Sequence, residues 1–250
     1  MRIAICQPTY LPWLGYFDLM DQVDAFVFLD TVQFEKQSWQ QRNRIKTPTG
    51  LQWLTVPVVF RGRLGQKVQE VGIRDNSFRR KHLRAIELNY ARAPFFEKYF
   101  PGLAEILERI DTGAHLAHLN RRLIEWIAGL LGIQPRLILA SDLGEGGKRT
   151  QLLANICRKV AATQYISPIG SAAYLLAEMD VLDAANVDTV FHNYDHPKYR
   201  QLFPPFLPFA SVMDLIFNEG DRSMEIIRSG RGIVLTPGEV AAKTATPKEV

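Results

Sequence analysis

Two short apolar runs, RIAIC at residues 2–6 and DAFVFLD at residues 24–30, constrain the fold more than any other feature of the chain. Rich in Ile, Val and Phe, they have the character of strands buried on both faces. The stretch between them has room for a loop and a short helix, so the chain opens as a βαβ unit. A parallel pair sets the turn after the first strand and the end of the second, at Asp30, on one sheet edge. Open α/β sheets bind ligands at that edge.

The same alternation returns later: RLILA, TQYIS and DTVFHNY read as strands, and RTQLLANICRKVAA and AAYLLAEMDVLDAA as the helices between them. The predicted fold is α/β, a mostly parallel sheet flanked by helices, Rossmann-like, with a helical lobe. Residues 77–109 read as helical, broken near Ala93-Pro94 because proline disfavours helical geometry just before it. The run at 115–133 places Leu116, Leu119, Leu123, Ile127 and Leu130 in one apolar stripe. LQWLTVPVV and KVQEVGI read as strands, and residues 31–50, polar and basic with little periodicity, as a loop. LFPPFLPF is a turn, SVMDLIFNEG a helix stopped by Gly220, and SMEIIRS a further helix. The expected organisation is one domain over 1–235, a helical insertion around 77–133, and a flexible tail over 236–250.

With 47% hydrophobic residues in 250, the composition excludes a disordered chain. No apolar run reaches the roughly 20 residues of a spanning helix, and Met1 runs straight into strand-like sequence, so a cytoplasmic location is expected. Cys6 and Cys157 lie far apart in apolar surroundings, the pattern of buried reduced thiols. The net charge of +4 is concentrated in Arg61–Arg84, a segment that suits a phosphate or nucleic-acid backbone but equally a solvated basic face.

Several motifs carry little weight. SDLGEGGKRT follows a strand and opens a helix, but Asp142 and Arg149 break the phosphate-loop pattern. His115 and His118 are spaced to share a cation, without a third ligand nearby. His192, Asp195 and His196 could supply a histidine–carboxylate pair, although a turn has the same composition. Ser167 sits on a strand-to-helix turn as a candidate hydrogen-bonder, with Ser171 as a candidate cap.

Two stretches outrank these. Gln7, Tyr10, Trp13 and Tyr16 surround the turn after the first strand. Trp39, Arg42, Asn43 and Lys46 in QSWQQRNRIK can stack a planar group, fork onto an anion and hydrogen-bond a base or sugar.

The runs QPTYLPWLGYF, VQFEKQSWQQRNRIKTPTGLQWLTVPV, KHLRAIELNY, ATQYIS and FLPFASVMDLIFNEG together resemble the WbqC-like family over nearly the whole chain. Pro168 stands where many members carry glycine. The resemblance implies a role in bacterial surface polysaccharide, O-antigen in particular, and brings no established catalytic residues. The opening also looks like HIGH-type nucleotidylyltransferases, with Tyr10 and Tyr16 where those enzymes have two histidines. Tyrosine, with an ordinary pKa near 10, cannot readily supply their positive charge at neutral pH.

The leading expectation is a transferase-like enzyme that binds a nucleotide-activated sugar or another phosphorylated donor, with acyl or aminoacyl transfer to an amino sugar as one form of the reaction. Gln7, Tyr10, Tyr16, Asp30 and Gln33 would line the sheet edge, and Lys36, Arg42 and Lys46 would meet phosphates. Asp30 is the candidate general base and His82 the reserve. No resident metal is expected, although Asp30 could hold Mg²⁺ together with a ligand's phosphates. The alternative is a non-catalytic nucleotide- or sugar-binding scaffold. Nucleic-acid binding ranks third, for want of a reader motif.

Overall fold

The structure is a computed structural model that describes residues 1–60, 62, 65–111 and 113–245. Arg61 and Arg63 of the basic segment and the last five residues of the tail therefore lie outside the described residues. Its strands are β1 (Arg2–Cys6), β2 (Ala25–Phe28), β3 (Arg42–Thr47), β4 (Gly50–Thr55), β5 (Arg136–Leu139), β6 (Gln164–Ser167) and β7 (Asp188–Phe191). The helices are α1 (Leu14–Asp21), α2 (Ser77–Tyr90), α3 (Phe96–Glu108), α4 (Leu116–Leu130), α5 (Ala140–Leu143) and α6 (Arg149–Lys159). They continue with α7 (Ala172–Leu175), α8 (Met179–Asp183), α9 (Val212–Glu219), α10 (Ser223–Ser229) and α11 (Pro237–Ala245).

Five strands form one sheet in the order β5-β2-β1-β6-β7, every neighbouring pair parallel. All four residues of β2 and the middle three of β1 are buried, because helices cover both faces. Ala4, Phe26 and Phe28 point to a core shared with Phe17, Met20, Val212 and Phe217, while Ile3, Ile5, Ala25 and Val27 point to one built with Leu153 and Cys157. The chain leaves β1 towards β2 on one side and later places β6 on the other, so the sheet's direction of winding reverses at β1. The carboxyl ends of β1 and β6 flank the crevice that such a reversal opens. Between β2 and β5 lie the antiparallel hairpin β3–β4 and helices α2, α3 and α4.

The five sheet strands, the helix break near Ala93-Pro94 and the helix of 115–133 agree with the sequence. Four segments differ. Residues 42–47 form β3, paired with β4 from Arg42↔Thr55 to Thr47↔Gly50; polar and charged side chains on both faces hid its alternation. KVQEVGI makes a 3₁₀ turn, Val68–Glu70, and single bridges at Lys67, Gly72 and Ile73, because Val68, Val71 and Ile73 are buried and, among the described residues, no strand lies alongside to pair in a full ladder. AAYLLAEMDVLDAA is split into α7 and α8 by a 3₁₀ turn at Leu176–Glu178. The segment read as a flexible tail contains α11, whose Val240 is buried in the core with Leu182 and Phe191.

Asp18 of α1, fully buried, ties three parts of the chain together. Its carboxylate meets His192 Nε2 at 2.7 Å just beyond β7, Arg231 Nε at 2.8 Å beyond α10, and Gln22 Nε2 at 2.7 Å. Removing one member of a buried charged cluster strands the others without compensation. Asp18→Ala is expected to lose about 3 kcal/mol, the low end of such losses because Arg231 keeps Asp21 as a partner. A urea-denaturation midpoint that falls with an unchanged slope checks this.

Candidate functional site

The loop after β1 is held by side chains from other elements. Gln40 Nε2 donates to Gln7 Oε1 at 2.7 Å, and Asn120 Nδ2 of α4 donates to the carbonyls of Pro8 and Gln40 at 3.0 and 2.7 Å. Asn43 of β3 donates to the Leu11 carbonyl at 2.8 Å and the Tyr10 carbonyl at 3.2 Å. Leu11 has φ 43° and Phe209 has φ 62°, left-handed conformations that large side chains rarely adopt. Each strained residue is gripped by its carbonyl: Leu11 by Asn43, and Phe209 by Arg44 Nη2 at 3.2 Å. Strain of this kind persists where the surroundings over-determine it, and it clusters at binding sites.

These loops enclose a cavity of about 380 Å³ beside the carboxyl end of β1. Thr9, Pro12, Trp13 and Tyr16 line one side, Trp39, Asn43 and Arg44 the other, with Phe209 completing it. Trp13 is fixed by its neighbours. His196 stacks on it at 6.2 Å and 16°, Tyr194 meets it edge-on at 5.6 Å, and Phe209 packs at 5.7 Å. The Tyr16 hydroxyl donates to the Gln7 carbonyl at 3.3 Å, and burial holds its pKa well above the usual phenol value, so it keeps its proton. Arg44 is the cavity's cation. Its guanidinium carbon lies 5.4 Å from the ring centroids of both Trp39 and Trp53. Burial lowers its pKa, and its Nε has no hydrogen-bond partner. Among the described residues it forms no ion pair. A guanidinium with free donors between aromatic faces suits a carboxylate or phosphate, while the surrounding rings suit a flat or saccharide ring.

Of the residues singled out in the sequence, Trp13, Tyr16, Trp39 and Asn43 meet in this cavity, and Gln7 and Tyr10 support its floor. Arg42 lies outside, its guanidinium 4.2 Å from the Trp53 ring centroid. Gln33 and Lys36 are exposed on the loop before β3, Lys36 over Phe60. Lys46 is buried, its Nζ donating to the Thr47 carbonyl at 3.2 Å. Ser167 is buried with its Oγ 2.5 Å from that of Ser171. Asp30 accepts from the Ser141 amide at 3.0 Å and the Ser141 hydroxyl at 2.6 Å, which fastens the start of α5 to the end of β2. His82 is buried on α2 with Nδ1 2.8 Å from the Tyr10 hydroxyl, and burial pushes its pKa down to about 4. Among the described residues, no group of three or more His, Cys, Asp or Glu is placed to hold a metal ion. Arg44, Thr9, Pro12 and Phe209 were not singled out in the sequence. Reading 42–47 as a strand was the signal that would have separated Arg44 from its neighbours.

Fold and cavity together define a parallel α/β protein with an aromatic, cationic cavity at the point where its sheet reverses. More particularly, the chain belongs to the WbqC-like protein family, whose model matches residues 7–226 and so spans every residue that lines the cavity. It is 41% identical over 229 residues to a Mycobacterium tuberculosis protein described as "Uncharacterized protein Rv1507c", a similarity that covers 91% of this chain and 97% of that protein. No solved structure matches the chain.

A Cβ on Gly15 would lie 2.3–2.8 Å from the Trp13 ring, which is wedged and cannot swing away freely. Gly15→Ala is expected to destabilise the protein by about 1–3 kcal/mol and to displace Trp13 in the cavity wall, seen as a lowered melting temperature with an altered near-ultraviolet circular dichroism spectrum. His82 makes a second prediction. Its folded pKa of about 4 lies below the ordinary 6.5, so the unfolded chain binds the extra proton between those values. The stability it contributes is complete above pH 6.5 and is lost as pH falls towards 4, about 3 kcal/mol in all. Denaturation midpoints across this window should slope less in His82→Gln than in the parent.

Proposed function

We propose that this protein is a transferase-like enzyme of surface polysaccharide biosynthesis that holds a nucleotide-activated sugar, or another phosphorylated donor, in the cavity beside β1. The observation that carries this reading is Arg44, a guanidinium without an acidic partner among the described residues, set in a wall of Trp13, Tyr16, Trp39 and Phe209. Arg44 takes the phosphate oxygens, the rings take the sugar or base, and the Tyr16 hydroxyl, whose own proton goes to the Gln7 carbonyl, accepts a hydrogen bond from a ligand hydroxyl. The O-antigen setting rests on the family resemblance. A phosphorylated donor would bring any Mg²⁺ with it.

A second reading, a binding scaffold of the same pathway, is favoured by the placement of the two candidate catalytic groups. Asp30 is engaged by Ser141, and His82 is buried behind Tyr10. On the catalytic reading one of them must come free when the ligand binds.

The test is a thermal-shift screen with nucleotide sugars, followed by incubation with amino-sugar acceptors and mass analysis. Ligand at about a hundred times its Kd should add roughly 2.7 kcal/mol of stability, and Arg44→Ala should abolish the shift. A mass change in donor and acceptor supports the transferase; saturable binding without turnover over a wide acceptor panel supports the scaffold. No shift with any nucleotide sugar would remove both.

A further inference from the structure

The outward face of the β3–β4 hairpin carries more chemistry than the cavity uses. The antiparallel register sets Arg42 opposite Thr55 and Arg44 opposite Trp53. Opposed residues and those two apart project to one side of a hairpin, so Arg42, Arg44 and Trp53 share a face. Trp39 joins the row from just before β3, its ring centroid 5.3 Å from that of Trp53 and its plane inclined by 40°. Arg42 lies 4.2 Å from the Trp53 ring centroid, and Arg44 lies 5.4 Å from both indoles. The result is a ladder of two indoles and two guanidiniums.

Three properties of the ladder point to a ligand. The indoles stay nearly half in solvent, Trp39 47% and Trp53 42% exposed, so the row is not a buried packing element. Neither guanidinium forms an ion pair among the described residues. A guanidinium laid against an indole also directs its N–H groups outward in its own plane, ready to fork onto an oxyanion. Trp39 and Arg44 belong both to the ladder and to the cavity wall, so a group held on the ladder lies next to one held inside.

We propose that this face is a saccharide subsite for a sugar ring that bears a carboxylate or a phosphate. The ring packs against the exposed indole surface of Trp53 and Trp39, and Arg42 takes the oxyanion. A single-stranded nucleic acid would need a basic groove that follows the backbone over several nucleotides; this row offers two cations and ends in Thr55. The subsite's role as the acceptor side of a transferase rests on the donor reading of the cavity, but binding to it does not.

The test is calorimetric titration of the full chain with a galacturonic acid oligosaccharide, its neutral galactose counterpart, a sugar phosphate and oligothymidylate. The acidic oligosaccharide or the sugar phosphate should bind about tenfold or more tightly than the neutral sugar, and which of the two binds identifies the source of the oxyanion. Arg42→Ala and Trp53→Ala should each weaken that binding about tenfold, while Trp53→Phe, which keeps a ring, retains most of it. All three variants should keep the parent's urea midpoint to within the effect of a surface change, and Arg42→Ala, whose side chain lies outside the cavity, should keep any nucleotide-sugar thermal shift. Equal affinity for neutral and acidic sugars, unchanged affinity in Arg42→Ala and Trp53→Ala, or tighter binding of oligothymidylate overturns the proposal. Loss of the thermal shift alone, with acidic-sugar binding intact, overturns only the reading of the cavity.

Discussion

The buried amide of Asn43 is the hinge on which the site depends. Its two N–H bonds satisfy the carbonyls of Tyr10 and Leu11 as the chain turns away from the sheet, and its oxygen accepts from the Arg44 amide at 2.8 Å. A left-handed leucine costs on the order of 1–3 kcal/mol, and one hydrogen bond offsets about 1 kcal/mol. The conformation therefore needs support beyond this pair. Tyr10 N donating to the Trp39 carbonyl and Val212 N donating to the Pro12 carbonyl supply it, both within 2.9 Å. The loop after β1, the approach to β3 and the start of α9 are thus fixed with respect to one another, which is the condition for a ring-lined cavity that keeps its shape without ligand.

Behind this arrangement stand two buried carboxylates whose surroundings differ. Asp18 is satisfied by a guanidinium, an imidazole and an amide. Asp214, at the start of α9, accepts from the hydroxyls of Tyr90 and Tyr199 and from Gln201. Burial holds the Asp214 pKa above the usual carboxylate range even though those three donors and the charge of Lys46 pull it down. A carboxyl whose folded pKa is raised stabilises the fold most fully when protonated, and that contribution fades as pH rises through the folded value. Lys46, assigned in the sequence to a phosphate, has its place here: its amide donates to nothing less than the Tyr90 hydroxyl, at 2.8 Å, and its ammonium offsets Asp214. It is a structural cation of the junction between hairpin, α2 and α9.

What could be read in the sequence followed from which residues the fold buries. The five sheet strands announced themselves because a parallel sheet covered on both faces selects unbroken apolar runs such as RIAIC and AFVF. The hairpin could not, because β3 carries Asn43 and Lys46 into buried polar contacts and Arg42 and Arg44 onto an aromatic ladder. Neither face is apolar, so there was no alternation of hydrophobicity to detect. The aromatic turn after β1 could be singled out by its position on the sheet edge, whereas the directions of its rings were not separable: Tyr10 faces inward to His82 and Tyr16 faces the cavity. Phe209 is close to the cavity only through the tertiary fold, and no local pattern carries that information.

Two guanidiniums two residues apart illustrate what the hairpin adds. On a loop, Arg42 and Arg44 would sample many directions and act as interchangeable charges. On a strand their side chains are parallel and about 6.5–7 Å apart along the chain, so one reaches the cavity while the other stays on the open face. The ladder of Trp39 and Trp53 holds the two forks in fixed relation, so on the proposed reading an anion inside and an anion outside would meet separate guanidiniums. Electrostatics alone would let one ligand bridge both cations. The indoles would keep the two proposed sites distinct, because each guanidinium already lies against a ring face before any ligand arrives.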